Sequence, residues 1–197
     1  MYPLLAFSVI SIAVILERAV FYLLSRALSV RMVEELVAHR KECGDWKAAA
    51  GRFAEKRKRV YFLPLVTAYF NAFDETPKLF EEHLFAHAKE IVMINERRLP
   101  VLASIAAIAP LFGLFGTVLG MIEVFQRLAA LGGRADVALL SDGIWVALLT
   151  TAFGLFVAIP SLLAHHFFSR LVSGRSDCME LLITHLNILT GKTGAEN

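Results

Sequence analysis

The sequence has little charge and almost no cysteine. Charged residues make up 19% of the 197 positions, whereas about 25% is usual for a soluble domain. The net charge of +2 is too small to favour nucleic acid as a partner. The two cysteines, Cys43 and Cys178, do not have the spacing of a redox or zinc motif. These shortages argue against a soluble, disulfide-linked or nucleic-acid-binding protein.

Signatures of enzymatic chemistry are also lacking. The sequence contains no glycine-rich loop of the nucleotide-binding type and no recognisable pair of nucleophile and base. His83 and His87 are four residues apart, as in helical metal sites, but no HExxH pattern accompanies them. Two solvated histidines are the better interpretation. We therefore expect no enzymatic activity, no cofactor and no metal.

Long apolar runs are abundant instead. Two uncharged spans, Leu99–Ile122 and Gly143–Ala164, are long enough to cross a bilayer, for which about 20 apolar residues suffice. A third and weaker span, Leu4–Leu24, is interrupted only by Glu17–Arg18. This span lacks the preceding basic region and the cleavage site of a signal peptide. The sequence therefore predicts three transmembrane segments.

The distribution of lysine and arginine predicts the orientation. Of the 20 basic residues, 14 lie between Arg26 and Arg98, and only Arg127 and Arg134 lie between the second and third spans. Basic residues are retained on the cytoplasmic side. The basic run Lys56–Arg59 is either a contact to anionic headgroups or a solvated charge run. We expect a first transmembrane helix at residues 1–25 with its N-terminus outside, a cytoplasmic helical region at 26–98, a second transmembrane helix at 99–125, a short outer loop at 126–139, a third transmembrane helix at 140–166, and a cytoplasmic C-terminal helix and tail at 167–197.

Helix signals extend two of the spans far beyond the membrane. Thr76–Pro77 combines a capping hydroxyl with a first-turn proline, and no stop signal follows before the second span. We predict one helix from Pro77 to Gln126, bent but not ended by Pro100 and Pro110.

Beyond the third span the helical pattern continues past His165–His166 to about Leu189, with a bend predicted at Pro160. Shorter helices are expected between residues 30 and 73, with a turn near Cys43–Asp45. The predicted fold is all-α: a polytopic membrane protein with three transmembrane helices, two of them extended far into the cytoplasm.

Small residues line one face of each of the last two spans, at helical steps of three or four. Such stripes allow helix backbones to approach closely in lipid, and packing is the favoured interpretation of the glycines. Threonines in the stripes have two open interpretations: a hydroxyl bonded to its own helix, or one that lines a wet path. The expected packing residues are Gly113, Gly116, Gly120, Gly143, Ala147 and Gly154, and the two threonines are Thr117 and Thr151.

Two motifs in these spans carry a family resemblance. The run Ala109–Met121, preceded by Ile105–Ala106, resembles the second-span signature of the MotA/TolQ/ExbB proton-channel family. Glu17–Arg18, at the end of the first span, fits the ExbB-like members. The third-span signature is matched by Gly143–Ile144, Ala147–Leu148, Thr150–Ala152, Gly154–Leu155 and Val157–Pro160. The order of the motifs is right, and the resemblance is closest to the ExbB/TolQ branch.

The resemblance implies a homopentamer in the bacterial inner membrane, with the N-terminus in the periplasm and the C-terminus in the cytoplasm. The second and third spans of the five copies would line a pore that holds a single-span ExbD- or TolR-like partner, whose membrane aspartate would carry the proton. Members of the family energise TonB-type transport, maintain the outer membrane or drive motility, so a TonB- or TolA-like protein and membrane lipids are further expected partners. By motif, Thr117 and Thr151 correspond to the pore threonines.

One departure from the pattern concerns the ion path. Val146 stands where ExbB and TolQ members usually carry a glutamate, and valine can neither titrate nor form a hydrogen bond. Asp142, four residues earlier on the same helical face, is either a partial substitute near the outer mouth or a solvated cap of the third span, and the cap is favoured. The predicted function is the pore-forming subunit of a motor driven by the proton-motive force. The alternative is a structural membrane scaffold with impaired proton conduction.

Overall fold

The computed structural model describes residues 2–24, 63–71, 77–130 and 137–190. Every element in these ranges is an α-helix, so the all-α prediction is confirmed. The predicted turn near Cys43, the Thr76 cap, the run Lys56–Arg59 and the loop tip at 131–136 lie outside the described residues. The helices are α1 (Tyr2–Leu24), α2 (Leu63–Asn71), α3 (Pro77–Glu96), α4 (Leu99–Ala130) and α5 (Val137–Thr190).

Within the described ranges, three helical stretches are long and apolar enough to cross a membrane. They are Tyr2–Leu24, Glu82–Ala130 and Leu140–Ile188, and they contain the three predicted spans. Large apolar side chains on these stretches, such as Leu114 and Phe156, are exposed. Water would penalise such a surface, whereas lipid tails do not. The chain is therefore an all-α polytopic membrane protein.

The predicted continuous helix from Pro77 to Gln126 is wrong at one point. A two-residue turn at Arg97 and Arg98 separates α3 from α4. Pro100 has no N–H to donate, and its ring would clash with the carbonyl four residues earlier, that of Glu96, where α3 ends. The Val101 N–H donates to the Arg98 carbonyl over 3.2 Å instead.

The other two prolines that were predicted to bend a helix lie inside helices without ending them. Pro110 lies within α4, and Pro160 lies within α5. Helix α5 continues for 54 residues, which corresponds to roughly 80 Å. It passes His165–His166 and ends at Thr190, one residue beyond the predicted position.

The chain divides into two compact units. The first contains residues Met1–Ala19 and Arg98–Phe168, and in it α1 packs against α4 and α5. Its apolar core is built mainly from small and branched side chains, with the Phe7 ring edge-on to Phe112 at a centroid distance of 5.4 Å. The core residues are Leu4, Ile105, Ala109, Val157 and Ala158.

The second unit contains residues Val20–Arg97 and Ser169–Asn197. Its core is built around Tyr69, which is fully buried. The Tyr69 ring meets Phe80 edge-on at 5.1 Å, and its hydroxyl donates to the Asn187 side-chain oxygen over 2.8 Å. Leu65 and Leu186, both at most 1% exposed, complete this packing.

Candidate functional site

The candidate site lies in the first unit, where α4 and α5 pack directly backbone against backbone. A methyl group in place of the Gly113 hydrogen would lie 3.0 Å from the Cα of Thr151. The same change at Gly154 would bring the methyl carbon to 2.7 Å from the Ala109 carbonyl oxygen. Real Cβ atoms are essentially never closer than 3.0 Å to such neighbours. A side chain at Gly154 would therefore force the two helices apart.

This close packing continues toward the C-terminal end of α4 and the N-terminal end of α5. A Cβ atom at Gly120 would lie 2.9 Å from the Cβ of Ala147, and one at Gly143 would overlap the side chain of Val124. Gly113 contacts Thr151, whereas Gly120, later in α4, contacts Ala147, which is earlier in α5. The two helices are therefore antiparallel. All six small residues that were predicted to pack, Gly113, Gly116, Gly120, Gly143, Ala147 and Gly154, lie at this contact.

Thr150 places a hydroxyl inside the helix contact. Its Oγ1 donates to the carbonyl of Ala147 in its own helix over 2.7 Å, and it lies 3.3 Å from the carbonyl of Gly113 on α4. Gly116 leaves the space for it, because a Cβ there would lie 2.6 Å from the Thr150 oxygen. Sequence reasoning missed this residue as a polar link between helices. Its place in a Thr-Thr pair on a small-residue face was the available signal.

The two threonines predicted to face the ion path differ in their hydrogen bonding. The half-buried Thr117 hydroxyl donates to the Leu114 carbonyl over 2.7 Å, one turn back in its own helix. The Thr151 side-chain oxygen is buried and has no hydrogen-bond partner among the described residues. No hydrogen bond therefore joins the two hydroxyls within one chain.

Asp142 and Val146 lie one helical turn apart near the N-terminal end of α5, and both are exposed in the single chain. Val146 is 49% exposed and its neighbour Trp145 is 65% exposed. This face of α5 is consequently open to lipid, to water or to another protein. Glu123, about two turns before the end of α4, forms an exposed ion pair with Arg127 one turn later.

Other polar contacts in the first unit attach α1 to α5 and to the turn before α4. Ser11 and Ser161 are buried, and their hydroxyl oxygens lie 2.6 Å apart. Ser161 also lies 2.7 Å from the Val157 carbonyl. Since that carbonyl can only accept, Ser161 donates to it and Ser11 donates to Ser161. The exposed Arg98 guanidinium pairs with Glu17.

The His165 ring binds the start of α4. Its Nδ1 lies 3.1 Å from the Leu99 carbonyl oxygen, so Nδ1 carries the proton in this contact. This histidine joins α5 to α4 through a specific hydrogen bond.

In the second unit, a buried polar cluster forms around Asn95. The Asn95 side chain donates to the Ile91 carbonyl over 2.7 Å, and the Tyr22 hydroxyl donates to the Asn95 carbonyl over 3.1 Å. Arg175 donates to the Asn95 side-chain oxygen over 3.2 Å and lies 4.5 Å above the Tyr22 ring. Sequence reasoning missed this cluster, whose members are far apart in the chain.

The remaining candidates for chemistry are not clustered. Across residues 2–24, 63–71, 77–130 and 137–190, no group of three or more His, Cys, Asp and Glu side chains is arranged to hold a metal ion. His83 and His87 are exposed on α3, and the His87 ring lies 3.7 Å from the Glu90 carboxylate. Cys178 is a free, half-buried thiol.

Comparison with known proteins gives a consistent family match. The model of the MotA/TolQ/ExbB proton channel family matches residues 48–181. The chain is 30% identical over 199 residues to the "Putative biopolymer transport protein ExbB-like 1" of Synechocystis sp., in an alignment that covers 96% of this chain and 74% of that protein.

Shorter alignments relate the chain to two further bacterial proteins. It is 38% identical over 96 residues to the "Biopolymer transport protein exbB1" of Vibrio cholerae, covering 48% of this chain and 42% of that protein. It is 42% identical over 71 residues to the "Tol-Pal system protein TolQ" of Haemophilus influenzae, covering 36% of this chain and 31% of that protein. The chain thus spans less than half the length of these two relatives.

Proposed function

Because the chain belongs to the MotA/TolQ/ExbB proton channel family, we propose that it is a pore-forming subunit of an inner-membrane motor driven by the proton-motive force. In this proposal five copies surround a pore, and a single-span ExbD- or TolR-like protein occupies it. Proton flow toward the cytoplasm is coupled to TonB-type transport or to envelope maintenance through a TonB- or TolA-like protein.

The observation that supports this proposal most directly is the Thr151 hydroxyl. It is buried within an apolar span and has no hydrogen-bond partner in the described part of the chain. A buried hydroxyl without a hydrogen bond costs about 1–3 kcal/mol. Water, a second copy or a carboxylate of the pore partner would remove that cost. A hydroxyl that accepts and donates can also pass a proton along.

The Thr117 hydroxyl is proposed as the second polar group of the path. Its proton is used within the helix, by the Leu114 carbonyl, but its oxygen still has free lone pairs. It can therefore accept a hydrogen bond from water or from a protonated carboxyl group. Thr117 is thus an acceptor, while Thr151 is able to both donate and accept.

Val146 supports a second candidate function, a scaffold of the same family that assembles but conducts poorly. The side chain is 49% exposed on α5, at the position where the resembling proteins carry a glutamate. Asp142, one turn closer to the outer end, supplies a carboxylate on the same face. If Asp142 can take over from the missing glutamate, the motor function holds; if not, the scaffold function holds.

Proton flux into proteoliposomes containing the chain and its single-span partner tests the motor function. We expect flux in the unmodified complex and at least a tenfold loss, about 1.4 kcal/mol, in Thr151→Val. Thr184→Val is the matched control, because Thr184 lies on the same helix in the second unit and bonds only to the Glu180 carbonyl one turn back among the described contacts. Equal flux in the two variants would contradict the role of Thr151.

Val146→Glu separates the motor from the scaffold. A large gain of flux in Val146→Glu over an almost silent parent supports the scaffold for the natural sequence. Substantial flux in the parent that is lost in Asp142→Asn supports the motor, with Asp142 in place of the glutamate. The mass of the extracted complex should correspond to five copies, and another copy number would count against the proposed assembly.

A further inference from the structure

Thr150 and Thr151 are adjacent on α5 but their hydroxyls have opposite hydrogen-bonding states. Thr150 donates to Ala147 over 2.7 Å and lies within 3.3 Å of the Gly113 carbonyl. Thr151 has a buried oxygen without a hydrogen-bond partner in the described ranges. The proposed function assigns a role to the Thr151 hydroxyl only, so the position of the Thr150 hydroxyl requires its own explanation.

The two states are connected through the Ala147 carbonyl. A helical threonine donates to the carbonyl three or four residues earlier, and for Thr151 these carbonyls belong to Leu148 and Ala147. The Ala147 oxygen already accepts the backbone N–H of Thr151 in the helix. With the Thr150 hydroxyl as a second donor, both of its lone pairs are in use. One of the two acceptors within reach of the Thr151 hydroxyl in its own helix is thus taken by its neighbour.

Thr150 is held in this position from α4. Gly116 leaves a gap that the Thr150 oxygen fills, since a Cβ atom there would approach it to 2.6 Å. The Gly113 carbonyl, also on α4, offers a second acceptor on the same side. Both contacts keep the Thr150 hydroxyl turned toward α4 and next to the Ala147 carbonyl.

We propose that Thr150 is a positioning residue for the ion path. By occupying the Ala147 carbonyl, it keeps the Thr151 hydroxyl from bonding to the acceptor four residues earlier in its own helix. The Thr151 hydroxyl then remains available for water or for a carboxylate outside this chain. The inference rests on the proposed function, because it assigns that hydroxyl to proton transfer.

The effect of Thr150 on the hydrogen bonding of Thr151 is tested without any measurement of flux. The complex, labelled with ¹³C-threonine and reconstituted in lipid, is studied by solid-state NMR, in which the Cβ and Cγ2 shifts of threonine report its χ1 rotamer. The Thr151 signals are assigned by their absence in Thr151→Val. We expect them to move in Thr150→Val, because the freed Ala147 carbonyl then accepts the Thr151 hydroxyl.

Thr150→Ser is the matched control, since it keeps the hydroxyl and should leave the Thr151 signals in place. Thr150→Ala, which has a smaller side chain, replaces Thr150→Val if that variant does not assemble. Unchanged Thr151 signals in the variant without a hydroxyl would overturn the inference.

Flux measurements test whether Thr150 acts through Thr151. We expect Thr150→Val to lower flux about fivefold, the size of effect expected from redirecting one hydrogen bond, and Thr150→Ser to restore it. In a Thr151→Val background the same change should have no further effect. Independent, multiplying losses would overturn the inference, because they would show that Thr150 acts on its own.

The two measurements together separate the inference from the proposed function. Thr151 signals that move in a complex without proton flux support the positioning role and contradict the motor. Flux that depends on Thr151, combined with signals that do not move, supports the motor and overturns the positioning role.

Discussion

The two units of the molecule are held together in different ways. In the first unit, α4 and α5 meet through glycines, alanine and backbone atoms, with Gly113 close to the Cα of Thr151. In the second unit, the contacts are made by large side chains, with Tyr69 and Leu65 almost completely buried. The first unit has only small or short side chains in its closest contact, whereas the second is built from large ones.

Lipid and water favour different kinds of contact. Lipid tails are as apolar as leucine, so burying leucine between two membrane helices gains little, and close van der Waals contact must supply the attraction. In water, the same burial gains about 25 cal/mol for each Å² of apolar surface. The closest contact of the first unit is therefore of the kind that holds helices together in lipid, and the packing of the second is of the kind that stabilises a fold in water.

The largest effect is expected from Gly154→Leu. The new side chain would begin 2.7 Å from the Ala109 carbonyl oxygen and 3.1 Å from the Cα of Gly113. Since no rotamer can relieve a clash with backbone, the two helices must separate and we expect almost no assembled protein. The measurement is the yield of monodisperse oligomer after extraction in mild detergent.

Gly174→Leu is the control for this prediction. Gly174 lies on the same helix in the second unit, and a Cβ there would meet nothing within 4 Å. Leucine is a better helix former than glycine by roughly 0.8 kcal/mol, so this variant should assemble at least as well as the parent. Similar losses in both variants would show that the helix contact is not decisive.

A smaller effect is expected from Leu65→Ala in the second unit. Leu65 is 1% exposed, so the truncation leaves a cavity that costs about 2–5 kcal/mol. Leu114→Ala is the matched change in the first unit, where the side chain is 59% exposed and its loss should change stability little. Thermal unfolding in detergent compares the two variants. Equal shifts of the melting temperature would remove the distinction between the units.

The smallest effect is expected at the serine pair. Ser161→Ala removes the acceptor of the Ser11 hydroxyl, and interhelical hydrogen bonds in membranes contribute about 0.6 kcal/mol on average. The double variant with Ser11→Ala should be no less stable than Ser161→Ala alone, because no hydroxyl is then left without its partner. Strictly additive losses in thermal unfolding would indicate that the two serines act separately.

Much of the fold was predictable because it depends on periodicity and composition. The apolar spans follow from the length of uncharged sequence, and the small residues at the contact follow from steps of three and four. The helix break at Arg97–Arg98 was missed because Pro100 was interpreted as a bend, whereas its clash with the Glu96 carbonyl ends α3. Family membership was predictable from two contiguous motifs, and the comparisons confirm it.

The polar contacts of the site were less predictable, because they join residues that are distant in sequence. Nothing in the apolar run around Ser11 identifies Ser161, which is 150 positions away, as its partner. The role of Thr150 depends on the gap at Gly116 and on which hydroxyl reaches the Ala147 carbonyl. These are properties of helix rotation and register, which a residue pattern restricts but does not determine.

The glycine contact has a mechanical consequence. Two helices that touch through their main chains and through short side chains such as those of Thr150 and Ala147 have little between them that could absorb sliding or twisting. We expect the paired parts of α4 and α5 to move as one rigid body. In the proposed motor, conformational change would then occur at the interfaces between copies of the chain.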